Sequence, residues 1–212
     1  QHRVVAAHRG FLKETPATFN DSVARLHPGV LNDLADTGAH DAWLADLWDS
    51  TVAPRDTVYV LGDLSVRGAS ARRADGSPSP LDWLRARPGR KHVVLGNHDE
   101  LHPMHSTATR PAANDAWREV FVTITHAARA KLAGHEVLLS HLPYWPTDRH
   151  EPRYEQWRLP DLGVPLLHGH THGPEERTRS VAGTPMFHVG IDAHRAFVPQ
   201  DEILNWLSEV AE

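Results

Sequence analysis

Short apolar runs rich in Val, Ile and Leu, several of them leading straight into a polar cluster, constrain this chain more than any other feature. They lie at residues 57–61, 92–95, 120–125, 136–139, 165–167 and 186–189. Runs this short and continuous read as buried strands. Helical patterns separate several of them: residues 41–52, with apolar Trp43, Leu44, Leu47 and Trp48, then 81–87, 115–120 and 202–210. Helix and strand thus alternate, which predicts a layered α/β fold and argues against a β-barrel or a helical bundle. The helix at 81–87 has clear punctuation, with Ser79 as cap, Pro80 in its first turn and Pro88-Gly89 as its stop. Residues 66–80 and 144–161 carry the Pro, Gly and charge of surface loops, and 13–39, sparse in apolar residues, reads as an insertion with one short helix. A length of 212 residues suits a single domain over 1–212.

The chemistry sits where four of the strands end. Leu61 runs into Gly62-Asp63, Leu95 into Gly96-Asn97-His98-Asp99, Leu139 into Ser140-His141, and Leu167 into His168-Gly169-His170-Thr171-His172. In open α/β folds ligands bind outside the carboxyl ends of strands, so residues far apart in sequence can converge there. Glycine in three of the clusters fits a backbone that turns sharply close to a ligand. Asp and Asn offer oxygen and neutral His offers nitrogen, a donor mixture for hard or borderline divalent ions. One carboxylate such as Asp63 can bridge two ions, and paired ions clamp the attacking and leaving oxygens of a phosphoryl displacement.

The four blocks, in this order, resemble the calcineurin-like metallophosphoesterase family, and the resemblance extends from about Asp41 onward. It implies an α/β/β/α sandwich of two packed mixed sheets flanked by helices, and a hydrolase of phosphomonoesters or phosphodiesters that uses two divalent metal ions. Mn, Fe, Zn, Ni or Co would suit the ligands, and a hydroxide held between the ions is the expected nucleophile. Carried over by position, Asp63 becomes the bridging ligand, Asn97, His141 and His170 complete one metal site, and His172 belongs to the other. His98 would contact the phosphate and protonate the leaving oxygen, with Asp99 orienting it. His168 and His188 occupy no family ligand position and read as structural. Asp192, in the closing Val189-Gly190-Ile191-Asp192, reads as support behind a ligand. Tyr144, Trp145, Arg67 and Arg153 could wall the site, although loop packing accounts for them better.

The family's opening Asp-any-His block has no counterpart here. Placed at Ala6-Ala7-His8 it loses its aspartate. A second alignment puts His2 near the block's trailing histidine and the block upstream of Gln1, so that the chain lacks its first strand. The absence of an initiator Met favours the second. An incomplete first site keeps an alternative function open, that of a silent family member serving as a protein-binding scaffold. A third idea is a structural protein holding one ion.

Composition narrows the rest. With no cysteine there are no disulfides, thiolate sites or cysteine nucleophiles, as suits a reducing cytoplasm, and nothing at the N-terminus resembles a signal peptide. Lys and Arg number 22 against 27 Asp and Glu, and the net charge of −5 gives no strong signal for nucleic acid. No apolar run is long enough for a membrane span. The 17 histidines are a surplus. Apart from those at the strand ends, they read as surface residues. The expected partner is a phosphate-ester substrate, and oligomeric state is not legible.

Overall fold

The computed structural model describes residues 2–5, 37–64, 69–70, 76, 78–106, 108, 111–144 and 153–211. Most of the expected 13–39 insertion, together with Ala6-Ala7-His8, Arg67 and Trp145, lies outside them. The strands are β1 (His2–Val5), β2 (Thr57–Val60), β3 (Arg90–Val94), β4 (Phe121–Thr125), β5 (Ala127–Leu132), β6 (His135–Ser140), β7 (Leu166–His168), β8 (Arg177–Arg179), β9 (Pro185–His188) and β10 (Val198–Pro199). The helices are α1 (Thr37–Thr51), α2 (Pro80–Arg85), α3 (Pro111–Arg118), α4 (Ile191–His194) and α5 (Gln200–Val210). All six expected strands and all four expected helices are present, with ends shifted by a few residues. The expected start of the second helix holds in detail: Ser79 Oγ accepts the Asp82 N–H at 3.1 Å, and Pro80 occupies the first turn.

The strands form two mixed sheets, ordered β10-β1-β2-β3-β4 and β5-β6-β7-β9-β8. β1, β2, β3 and β4 run parallel, as do β6, β7 and β9. The reading that sets the first strand upstream of residue 1 must accommodate the pairing of His2–Val5 with β2. Strand alternation explains how the sheets stack. In β2, Val58 and Val60 face a core shared with Leu44 and Trp48 of α1, Leu81 and Leu84 of α2 and Trp117 of α3. Leu61 and Val94 turn the other way, meeting Val137, Leu139, Leu167 and Phe187 of the second sheet in a second core that α5 closes with Ile203, Trp206 and Leu207. Leu166 and Met186, on the outer face of that sheet, pack against Tyr144. The result is the expected sandwich of two mixed sheets and helices.

Because β2 and β3 are neighbours in one sheet and β6 and β7 in the other, their carboxyl ends open at one edge of the sandwich. Strands absent from the sequence reading are the short or edge ones. β8 alternates charge with Thr178, and β5 (Ala127–Leu132) carries Arg and Lys at every second position. Pairing with apolar neighbours holds them in strand form, which local propensity does not.

The helix-side core depends on Trp48, which is fully buried, meets Trp83 and Phe197 edge-on at 6.1 and 5.2 Å, and donates Nε1–H to Pro88 O at 2.9 Å. Trp48→Ala is expected to cost about 3–5 kcal/mol, measured by denaturant unfolding at unchanged slope.

Candidate metal centre

The two strand-exit loops of the first sheet are built around one close approach. A Cβ on Gly62 would lie 2.3 Å from Gly96 N, and a Cβ on Gly96 would lie 2.1 Å from Asp63 Oδ1. Both positions therefore exclude any side chain. Asp99, fully buried, fastens the loops together: its carboxylate accepts the backbone N–H groups of Asp63 at 2.9 Å, Leu64 at 2.8 Å and Gly96 at 2.8 Å. The expected pairing of Asp99 with the His98 ring gives way to this arrangement, since both carboxylate oxygens are spent on backbone donors. Burial, reinforced by the Asp63 carboxylate, pushes Asp99 up to about 7, against the N–H groups of Gly96 and Leu64 that favour its ionised form.

Held in this way, Asp63 sits at φ 54°, in the left-handed region, with His170 at 70° and His172 at 49°. Backbone strain of this kind costs on the order of 1 kcal/mol per residue and concentrates at functional sites. Asp63 Oδ1 accepts the His98 N–H at 2.8 Å, which leaves Oδ2 to face His141 Nε2 at 3.2 Å.

His141 is the centre of the cluster. Its Nδ1–H donates across the sandwich to Leu61 O at 2.7 Å, which fixes the tautomer. The opposite nitrogen, Nε2, then meets Asp63 Oδ2 at 3.2 Å, Asn97 Oδ1 at 3.1 Å and His170 Nδ1 at 3.3 Å. Donor atoms of Asp63, His141 and His170 all fall within 4.8 Å of one another. These are lone pairs turned toward a common point, an arrangement that repels itself unless a positive charge lies among them. Donors on a tetrahedral or octahedral ion with bonds of about 2.0–2.2 Å stand roughly 3.0–3.4 Å apart, the spacing seen here. The donor set therefore fits a divalent metal. Without one, the proton must serve. Burial lowers the His141 pKa, but the charge and hydrogen bond of Asp63 and the Leu61 carbonyl outweigh it, so the net shift is upward. His170, buried beside it, is pushed down to about 2 by desolvation and by His141.

His172 stands apart from this group. Its Nδ1 bonds Asp192 Oδ2 at 2.8 Å, so a carboxylate steadies the ring and leaves Nε2 outward. Asp192 thus takes the supporting place expected of it. His98 is half-buried, and burial lowers its pKa with Asp63 opposing. His168 and His188 are buried and stacked at 5.3 Å with planes 15° apart; desolvation holds them down to about 4 and about 2. Tyr144 is fully buried and donates to Val164 O at 3.0 Å, which is packing.

The surface reading of the remaining histidines needs correction at His40 and His102, which are buried. His102 meets His126 and Trp157 edge-on, and the apolar ring faces of neighbours account for its burial. His105 is a contributor that sequence reasoning missed: its Nε2 bonds Asn97 O at 2.8 Å and pins the ligand-bearing loop. Nothing at a separation of eight residues signals that contact.

A family model described as calcineurin-like phosphoesterase matches residues 27–174. The Gene 66 proteins of Mycobacterium phages D29 and L5 are each 41% identical, over 82% and 86% of this chain and 85% and 88% of theirs. The crystal structure of a protein of unknown function from Aquifex aeolicus aligns with a TM-score of 0.63 over 97% of this chain and all of that one, at 20% identity, which shows a shared fold.

Gly96→Ala is expected to displace Asp63 and abolish tight Mn²⁺ binding, whereas Gly134→Ala, with open space around it, costs about 1–2 kcal/mol of backbone strain alone. Calorimetric metal titration and thermal melting of both variants separate the two effects.

Proposed function

Since the chain belongs to the calcineurin-like phosphoesterase family, we propose that it is a metal-dependent hydrolase of a phosphomonoester or phosphodiester, working at the Asp63, Asn97, His141 and His170 cluster. The observation that carries this reading is the convergence of three donor atoms, from Asp63, Asn97 and His170, on His141 Nε2 at 3.1–3.3 Å. Asp63, Asn97, His141 and His170 would hold one ion, and His172 would contribute to a second, with Asp63 shared between them. Ions in such a donor set supply Lewis-acid charge and acidify water.

The protein's own residues prepare the rest. His98 follows Asn97 directly, and its backbone is tied to Asp63, so its ring stands beside the cluster. Burial lowers its pKa, with Asp63 opposing, and it is the ring's place beside the cluster that suits a group protonating a departing alkoxide or phenoxide. Asp99 works through the backbone as a positioning residue, holding Asp63 and Gly96 in one frame. Asp192 orients His172.

The scaffold alternative has less support. A binding scaffold has no need for four metal-ligating side chains gathered at one buried point, nor for an imidazole beside them.

Two variants test the proposal with bis(p-nitrophenyl) phosphate and p-nitrophenyl phosphate in Mn²⁺. His98→Ala should lower kcat about 10²–10⁴-fold with metal content unchanged; equal activity in wild type and variant would overturn the role. Asp192→Asn should weaken metal affinity or activity about 10–100-fold through His172, read as a higher Mn²⁺ concentration for half-maximal rate.

A further inference from the structure

A second group of ligating side chains lies away from the strand-exit cluster. Glu176 immediately precedes β8, His194 ends α4, and Glu202 lies in the first turn of α5; one donor atom from each falls within 4.8 Å of the others. Two of the three, Glu176 and His194, are organised around the peptide of His188. Its N–H donates to Glu176 O at 2.7 Å, and its carbonyl accepts His194 Nε2–H at 2.7 Å.

That second bond decides the chemistry. With the ring proton on Nε2, His194 Nδ1 presents a lone pair, and it points at Glu176 Oε1, 3.6 Å away, from a side chain that is 7% exposed. A proton between them would draw nitrogen and oxygen to about 2.8 Å. A divalent ion with bonds of about 2.0–2.2 Å holds tetrahedral donors roughly 3.4 Å apart, close to what is found. Arg177, next to Glu176 in the chain, pairs with Glu209, Nη1 to Oε2 at 2.7 Å. A glutamate in a first helical turn is favoured by the helix dipole. That accounts for Glu202 and not for the nitrogen that His194 turns to Glu176. A histidine that gives one N–H to a backbone carbonyl and turns the other nitrogen to a carboxylate, with a second carboxylate close by, is the arrangement of a metal ligand with its supporting shell.

The geometry points to a structural divalent-cation site formed by Glu176, His194 and Glu202, with one nitrogen and two carboxylate donors suited to Zn²⁺ and its neighbours. Such an ion joins the start of β8, α4 and α5. Because α4 also carries Asp192, it steadies the carboxylate that holds His172. The inference stands independently of the proposed hydrolase activity.

Equilibrium dialysis of the full chain against Zn²⁺, followed by metal analysis, tests it. Glu176→Gln and Glu202→Gln, both outside the core, should each bind about one ion fewer per chain than wild type and lose part of the rise in Tm that Zn²⁺ produces. Asp63→Asn should keep this ion while losing metal at the other centre. Glu209→Gln makes the same charge change on the same helix and should match wild type. Equal stoichiometry in wild type and Glu202→Gln, or an equal loss in Glu209→Gln, would mean an adventitious ion only and would overturn the site.

Discussion

Three backbone N–H groups converging on one buried carboxylate hold the functional edge of this protein together. Asp99 takes the donors of Asp63, Leu64 and Gly96, so the loops leaving β2 and β3 cannot move independently. Glycine at 62 and 96 lets them approach to a distance that any side chain would forbid. The carboxylate of Asp63 is aimed by this frame rather than by its own rotamer preferences. Unmaking one such bond in a dry environment leaves a buried donor unsatisfied, at a cost of about 1–3 kcal/mol.

The second sheet is tied to the first by a buried hydrogen bond from His141 Nδ1 to Leu61 O at 2.7 Å. It crosses the apolar layer formed by Leu61, Val94, Leu139 and Leu167 at the edge where that layer ends. A bond of this kind fixes position and tautomer together. Had Nε2 been the protonated nitrogen, the lone pair would face a carbonyl and a proton would face the donor cluster.

Sequence and structure agree where chemistry is written in contiguous residues. Gly-Asp, Gly-Asn-His-Asp and Gly-His-Thr-His each follow an apolar strand, so both the strands and the cluster they carry were legible. The supports were less so. His105, read as a surface residue, and the paired Glu176 and His194 are separated from their partners by spacings that no sequence rule connects. Asp99 was legible as a site residue, yet its contacts run to backbone rather than to the His98 ring, because a carboxylate at zero exposure satisfies itself with the nearest donors, which here are main-chain. The weakly apolar strands β5 and β8 (Arg177–Arg179) failed for a similar reason: their strand character comes from neighbours.

Left-handed backbone at three of the candidate ligand positions bears on whether this edge is a working site or a relic. Asp63, His170 and His172 all hold positive φ, and each costs on the order of 1 kcal/mol relative to relaxed backbone. Gathering Asp63, Asn97, His141 and His170 at one buried point adds a desolvation cost to that strain. A protein stable by about 5–15 kcal/mol gives up an appreciable fraction of its margin to keep both features. A binding scaffold would gain stability by relaxing that backbone, through a glycine at 170. Strained backbone beneath gathered donors is what a site stabilised by a bound cation requires, and it weighs on the side of metal-dependent chemistry.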